Sequence, residues 1–240
     1  MGALDGKIAL VAGGAGEVGE GIVRVFLEAG ASVVVPSRKD DKLVQLVNRL
    51  GPEAPEGLTT KVAEIGTPAG AEEVRDLILG EFGRLDIAVA SLGGWWQGAP
   101  LTEVPLETWT RILNNNLTSH FIVVRTFLPL VTQAAGSYIF INGDACDSPV
   151  PDSGPISIAA AAQIMMMEVA AEELKENGAR INSIVIGTPV ATRSRAKTQP
   201  EWLTADEIGR YAAYLASDEA LHVKGESIRL NDRSQIPDLR

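Results

Sequence analysis

Residues Ala12 to Gly19 read AGGAGEVG and follow the short apolar run KIALVA directly. A glycine turn that opens a helix lets the backbone approach a pyrophosphate, which then sits on the helix N-terminus. Gly13, Ala15, Gly16, Glu17, Val18 and Gly19 are therefore candidates for a dinucleotide cradle. Such a cluster also fits an ordinary strand-to-helix turn. A carboxylate aimed at a pyrophosphate would repel it, so Glu17 is expected to point away. A second chemical signal is aromatic. Trp95 and Trp96 form LGGWWQG after an apolar run, and Trp202 lies in TQPEWLT. Tryptophans grouped at a cleft mouth suit stacking on a large, flat, apolar ligand, although hydrophobic cover of a loop would use the same residues.

The elements that must position these residues alternate along the chain. KIALVA, ASVVVP, LTTKVAEI, LDIAVASLG, GSYIFING, RINSIVIG and ESIRLN read as strands. Between them lie GEGIVRVFLEAG, DDKLVQLVNRLG, GAEEVRDLILGEFG, LETWTRILNNNLTSHFIVVRTFLPLV, the apolar stretch beginning SGPISIAAAAQIMMM, and TADEIGRYAAYLAS, all with helical spacing. Strands separated by helices imply right-handed βαβ units. The expected fold is one Rossmann-like α/β domain over residues 1–240: a doubly wound parallel sheet of about seven strands with helices on both faces. No linker or internal repeat interrupts it.

Composition narrows the function. The chain has 240 residues and a net charge of −10. Its Lys and Arg residues are scattered, which argues against nucleic acid or an anionic membrane surface as partner. Cys146 is the single cysteine, His120 and His222 lie far apart, and no metal site is expected. The N-terminus carries Asp5 and Lys7 before its apolar run, unlike a signal peptide. No run is read as approaching a membrane span, so a soluble, cytoplasmic protein is expected.

The chain resembles a short-chain dehydrogenase/reductase from end to end. That family's first turn, TGxxxGxG, is met by Ala12, Gly13, Glu17 and Gly19, with Ala for Thr and Glu for the middle Gly. LDIAVASLG occupies the place of LDxLVNNAG, with Ala90, Ser91 and Leu92 for the NNA, followed by Gly93. NNNLT puts Asn116 at the family's structural and catalytic asparagine. RINSIVIG stands before the family's Pro-Gly turn, here Ile186-Gly187. ASDEALHVKGESIRL resembles the C-terminal motif without its final glycine pair.

The resemblance implies a nicotinamide cofactor. NAD enzymes place an acid at the end of the second strand for the ribose 2′-hydroxyl. This chain has Ser37 and Arg38 there, with Lys39 beside them. A guanidinium suits a 2′-phosphate, so NADP(H) is expected rather than NAD(H). By resemblance, Glu64 and Ile65 flank the adenine. The segment containing Gly187, Thr188, Val190 and Thr192 would lie along the nicotinamide, and Trp202 would belong to a mobile substrate lid. The helices carrying Asn116 and Met165–Met167 would pair in a homodimer or homotetramer. The methionine run itself reads as close packing.

The same comparison removes the family's Ser-Tyr-Lys triad. Gly143 falls at the serine, Ile156 at the tyrosine and Ala160 at the lysine. Tyr138, Tyr211 and Tyr214 lie elsewhere. A positioned acid contributes about 10²–10⁴-fold to such a reduction. Asp144 and Asp147 would be ionised at neutral pH unless burial raised them strongly. Cys146 could donate. Ser148, Ser153 and Ser157 could hydrogen-bond an oxygen but are poor acids, and His120 reads as structural. Asp144 and Ser148, with the tryptophans, are candidates for touching substrate.

The remaining proton source is a phenol on the substrate, next to its ketone. The pattern is similar to aromatic polyketide ketoreductases of antibiotic pathways, including those acting on angucyclinones. The expected activity is NADPH-dependent reduction of a large hydroxyaryl ketone by substrate-assisted protonation. A non-redox cyclase or dehydratase on this fold, and a non-catalytic NADP(H)-binding sensor or partner protein, are the alternatives.

Overall fold

The computed structural model describes residues 2–51 and 56–238. Seven strands form one sheet: β1 (Ile8–Ala12), β2 (Ser32–Ser37), β3 (Leu58–Val62), β4 (Ile87–Ala90), β5 (Ser137–Gly143), β6 (Arg180–Ile186) and β7 (Ser227–Leu230). Their order is β3-β2-β1-β4-β5-β6-β7, and every neighbouring pair is parallel. The single α/β domain expected from the alternation is present. β1, β4 and β6 are buried along their whole length, which explains their near-continuous apolar sequences.

The helices are α1 (Glu17–Glu28), α2 (Asp40–Leu50), α3 (Pro68–Phe82), α4 (Leu106–Leu113), α5 (Ser119–Gln133), α6 (Gly154–Leu174) and α7 (Ala205–Ala216). Leu46 of α2 and Ile208 of α7 join Ile22 and Phe26 of α1 over one face of the sheet. Val74 of α3, Phe127 of α5 and Met167 of α6 cover the other. Local signals set the helix ends. Thr67 caps α3 by accepting the Gly70 amide at 3.2 Å, with Pro68 just inside. Thr204 and Glu207 form a reciprocal capping box on α7. β3 stops at Val62, short of the Ile65 end expected from LTTKVAEI, because the Glu64 carbonyl turns to accept the Thr67 amide and hydroxyl.

Three departures concern the helices near the mouth. The stretch read as one helix from Leu106 to Val131 is divided by a π-helical turn, Asn114–Thr118. There the Ser119 amide reaches back to the Asn114 carbonyl, adding one residue to the turn. Side chains hold this insertion. Ser119 Oγ donates to the Asn115 carbonyl at 2.8 Å, and Gln163 Nε2 donates to the Asn116 carbonyl. The methionine run is only partly packed: Met167 is fully buried, whereas Met165 is 58 % exposed. Finally, α6 is long and apolar enough to cross a membrane on length and composition, with a mean hydropathy of 1.4 over its window. The reading that no segment approaches such a span is thereby corrected. In the fold, α6 is a core helix whose face from Ile156 through Ala160 and Met167 is buried.

Candidate functional site

The strand order reverses between β1 and β4. Loops leaving two such strands diverge to opposite faces and open a crevice at their C-terminal ends. A cleft of about 1000 Å³ lies there. Its walls include Gly13, Ala15, Gly16 and Glu17 after β1, Ser37 at the end of β2, and Arg38, Lys39 and Lys42 beyond it. Glu64 and Ile65 follow β3, and Ser91 through Trp96 follow β4.

The glycine turn is built for close backbone approach. Gly13 has φ +87°, and a Cβ on it would stand 2.0 Å from the Ser91 carbonyl oxygen. Gly16 caps α1 with no side-chain hydrogen bond, leaving first-turn N–H groups for a ligand. Across the cleft, Gly93 has φ +107°, and a Cβ there would stand 2.1 Å from Asn116 Oδ1. These side-chain-free walls and the basic edge fit a dinucleotide diphosphate. Arg38 NH1 lies 3.8 Å from Glu64 Oε1, and both side chains are more than half exposed. Lys42, one turn beyond Lys39, adds a third cation to that edge. Its position inside a helix rather than in the SRK run kept it from notice in the sequence.

Glu17 lines the cleft but is bonded to the loop after β6. Its Oε2 accepts from Ser194 Oγ at 2.8 Å. Partial burial opposes its charge, but hydrogen bonds from Thr192 and Ser194 and the Arg193 guanidinium prevail, holding its carboxyl below the usual range. One turn on, Glu20 is buried and receives Arg24, Arg49 and Arg193 at 3.2, 2.7 and 3.0 Å.

At the substrate end, Asn116 ties the π turn to the tryptophan loop. Its Oδ1 accepts the Gly94 amide at 2.9 Å, and its Nδ2 donates to the Ile112 carbonyl at 3.0 Å. His120 is fully buried, lies 3.2 Å through Nε2 from the Leu92 carbonyl, and stacks on Phe140. Burial drives its pKa down to about 4, although the Leu92 contact opposes this. At neutral pH the ring is therefore uncharged. Trp95 is 62 % exposed; Trp96 is half-buried and packs on Ile112, Ala145 and Ile156. Ile156 thus forms an apolar wall behind Trp96. Asn142 Nδ2 donates to the backbone carbonyl of buried Ala160 at 2.9 Å.

The acids after β5 are engaged. Arg229 of β7 bonds both Asp144 and Asp147. That bond, together with a contact from Ser148, keeps the Asp147 carboxyl below its ordinary range. Burial and then the Asp147 charge push the Cys146 thiol up. Asp144 and Ser148 therefore belong to an Arg229 cluster outside the cleft lining. Arg229 was legible in sequence only as a strand residue. None of the three tyrosines lines the cleft: Tyr138 is fully buried in β5, and Tyr211 and Tyr214 lie on α7.

Several other expected residues also stand outside the cleft walls. Val18 packs against the core and Gly19 lies beneath the Gly13 carbonyl. Gly187 packs against Asn231, Val190 is buried, and the Thr188 hydroxyl is buried without a partner among the described residues. Thr192 is occupied by Glu17. Trp202 lies under the Arg195 guanidinium, 5.2 Å from its ring centroid. Arg111 and Arg193 enter the lining instead.

A family profile described as "Enoyl-(Acyl carrier protein) reductase" matches residues 13–232. Dehydrogenase/reductase SDR family member 6 of Aquarana catesbeiana is 27 % identical, covering 95 % of this chain and 96 % of the relative. The 3-oxoacyl-[acyl-carrier-protein] reductase FabG of Thermotoga maritima is 26 % identical, covering 95 % and 97 %. A solved short-chain dehydrogenase/reductase from Mycobacterium ulcerans superposes with a TM-score of 0.87 at 25 % identity, covering 95 % of this chain and 89 % of that one. With the reversed strand order, the glycine turn and a match along nearly the whole sequence, the chain belongs to the short-chain dehydrogenase/reductases, oxidoreductases that bind a nicotinamide cofactor.

Proposed function

We propose that the protein is an atypical family member: an NADPH-dependent ketoreductase of a large hydroxyaryl ketone, with the proton supplied by the substrate. The observation that carries this reading is a cleft with an aromatic mouth and no tyrosine in its lining. Ile156 and Ala160, the residues at the expected tyrosine and lysine positions, are buried apolar side chains. Asp147 is held ionised by Arg229, and the Cys146 thiol is pushed away from easy ionisation.

When bound, the reduced cofactor supplies the hydride that the ketone carbon accepts. The former carbonyl oxygen then takes the proton of the neighbouring phenol. The ketone becomes an alcohol, the phenol a phenolate, and solvent returns the proton to the phenolate. The chain's own part is orientation. Asn116 and His120 fix the Leu92–Gly94 turn, Trp95 and Trp96 offer faces to the flat substrate, and the Ile156 wall excludes water. Arg38, with Lys39 and Lys42, supplies the charge for a 2′-phosphate.

The same proposal includes cytoplasmic action and assembly as a homodimer or homotetramer. The apolar residues left exposed on α5 and α6, Phe121, Ile158, Met165 and Val169, support that assembly.

The test is calorimetric titration with NADPH and NADH, followed by turnover of a hydroxyaryl ketone and its O-methyl ether. Expected is NADPH binding at least about tenfold tighter than NADH, lost in Arg38→Ala. The free phenol should turn over at least about 10²-fold faster than the ether. Equal rates for phenol and ether would overturn the substrate-derived proton. Binding with no oxidation of NADPH would identify a non-catalytic NADP(H) protein, and conversion without any cofactor a cyclase or dehydratase.

A further inference from the structure

Three consecutive residues, Thr192, Arg193 and Ser194, all engage the first turn of α1. Ser194 Oγ donates to the Glu17 carboxylate at 2.8 Å, Thr192 lies beside that carboxylate, and Arg193 pairs with buried Glu20 at 3.0 Å. The segment they begin is closed at its neck. The Ala191 amide donates to the Leu203 carbonyl at 2.8 Å, and Ala191 bridges to Thr204. Between the neck residues the chain is almost wholly exposed from Arg193 to Glu201, with Arg195 lying over Trp202. The loop therefore has one fixed base and one flank fastened to α1.

We propose that Glu17 is a positioning residue that latches this loop to the glycine turn and makes the loop's position responsive to the dinucleotide. The second clause rests on the dinucleotide-binding reading of the cleft; the latch itself does not. Glu17 begins α1, where the helix dipole favours a negative charge. A dinucleotide diphosphate seeks the same helix end. The two anions then compete for the Ser194 hydroxyl and for the space at this helix end. Binding and latching oppose each other, and the coupling acts equally in both directions.

Limited trypsin digestion of the cofactor-free protein reads the latch directly, because Arg193, Arg195 and Lys197 lie in the exposed part of the loop. Cleavage there should rise about tenfold or more in Glu17→Ala and in Ser194→Ala, as expected for the loss of one hydrogen bond to a charged group from a local opening equilibrium. Glu17→Gln keeps an acceptor and should fall between Glu17→Ala and the unmodified protein. Circular dichroism and cleavage at distant basic residues separate this from general unfolding. In the unmodified protein, NADPH should speed loop cleavage, and that response should vanish in Glu17→Ala, which should also bind NADPH about fivefold more tightly. Unchanged loop cleavage in both Glu17→Ala and Ser194→Ala would overturn the latch. A loop response to NADPH that persists in Glu17→Ala would overturn the coupling. Failure of the cofactor reading would appear separately, as no NADPH binding to the unmodified protein.

Discussion

Asn116 Oδ1 accepts the Gly94 amide at 2.9 Å, across a wall where Gly93 has no space for a side chain. The π turn frees the asparagine for this reach, and Gln163 takes up its backbone carbonyl. Asn116→Ala would leave the Gly94 amide without its protein partner and the tryptophan loop without its tie. We expect KM for the ketone to rise about tenfold, with a stability loss of about 1–2 kcal/mol. Steady-state kinetics and urea unfolding measure the two effects separately.

The paired tryptophans should separate by role. Trp95 is mostly exposed, so Trp95→Ala should change stability by less than about 0.5 kcal/mol while weakening a polycyclic ligand about tenfold. Trp96 packs on Ile112 and Ile156. Trp96→Ala should lose about 2–3 kcal/mol of stability as well as ligand affinity. Thermal melts and fluorescence titration distinguish them.

His120 gives a signed dependence on pH. Folded, it takes a proton only near pH 4; unfolded, it does so near pH ~6.5. Above ~6.5 both states are neutral and the buried ring causes no proton-linked loss. As pH falls through the window down to about 4, the unfolded chain binds a proton that the folded chain refuses. Stability from this group should decline by up to about 3 kcal/mol. Urea midpoints at neutral and mildly acidic pH should show a smaller drop in His120→Phe than in the unmodified protein.

The Arg229 cluster gives a negative prediction for chemistry. With Asp147 held below its ordinary range by Arg229, neither Asp144→Asn nor Asp147→Asn should change kcat by more than about threefold. The kcat profile should show no inflection from a carboxylate near neutrality. A loss of about 10²-fold in either variant would assign that carboxyl a proton-transfer role.

The sequence made the sheet legible because β1, β4 and β6 are short apolar runs bounded by turn residues, the pattern of strands buried on both faces. It made the cradle legible because Gly13 and Gly16 follow β1 directly. The π turn was hidden. NNNLT lies within a sustained helical pattern, and one inserted residue is settled by tertiary partners such as Gln163, not by local periodicity. The Arg229 bonds were equally hidden, since they join residues 82 and 85 positions apart in sequence. The pair of Arg193 with buried Glu20 was hidden for the same reason, since it joins the loop after β6 to α1. Trp202 was expected at the mouth from its place in the chain, yet its ring lies with Arg195.

The placement of β7 at the sheet edge has a consequence for biosynthesis. β7 pairs only with β6, and it carries the guanidinium that gathers the loop after β5. A nascent chain that has released β1 through β5 already holds the strands flanking the dinucleotide crevice. It cannot secure Asp144 and Asp147 until residue 229 has cleared the ribosome. The loop after β5 is thus fastened only once the last strand of the sheet has been made.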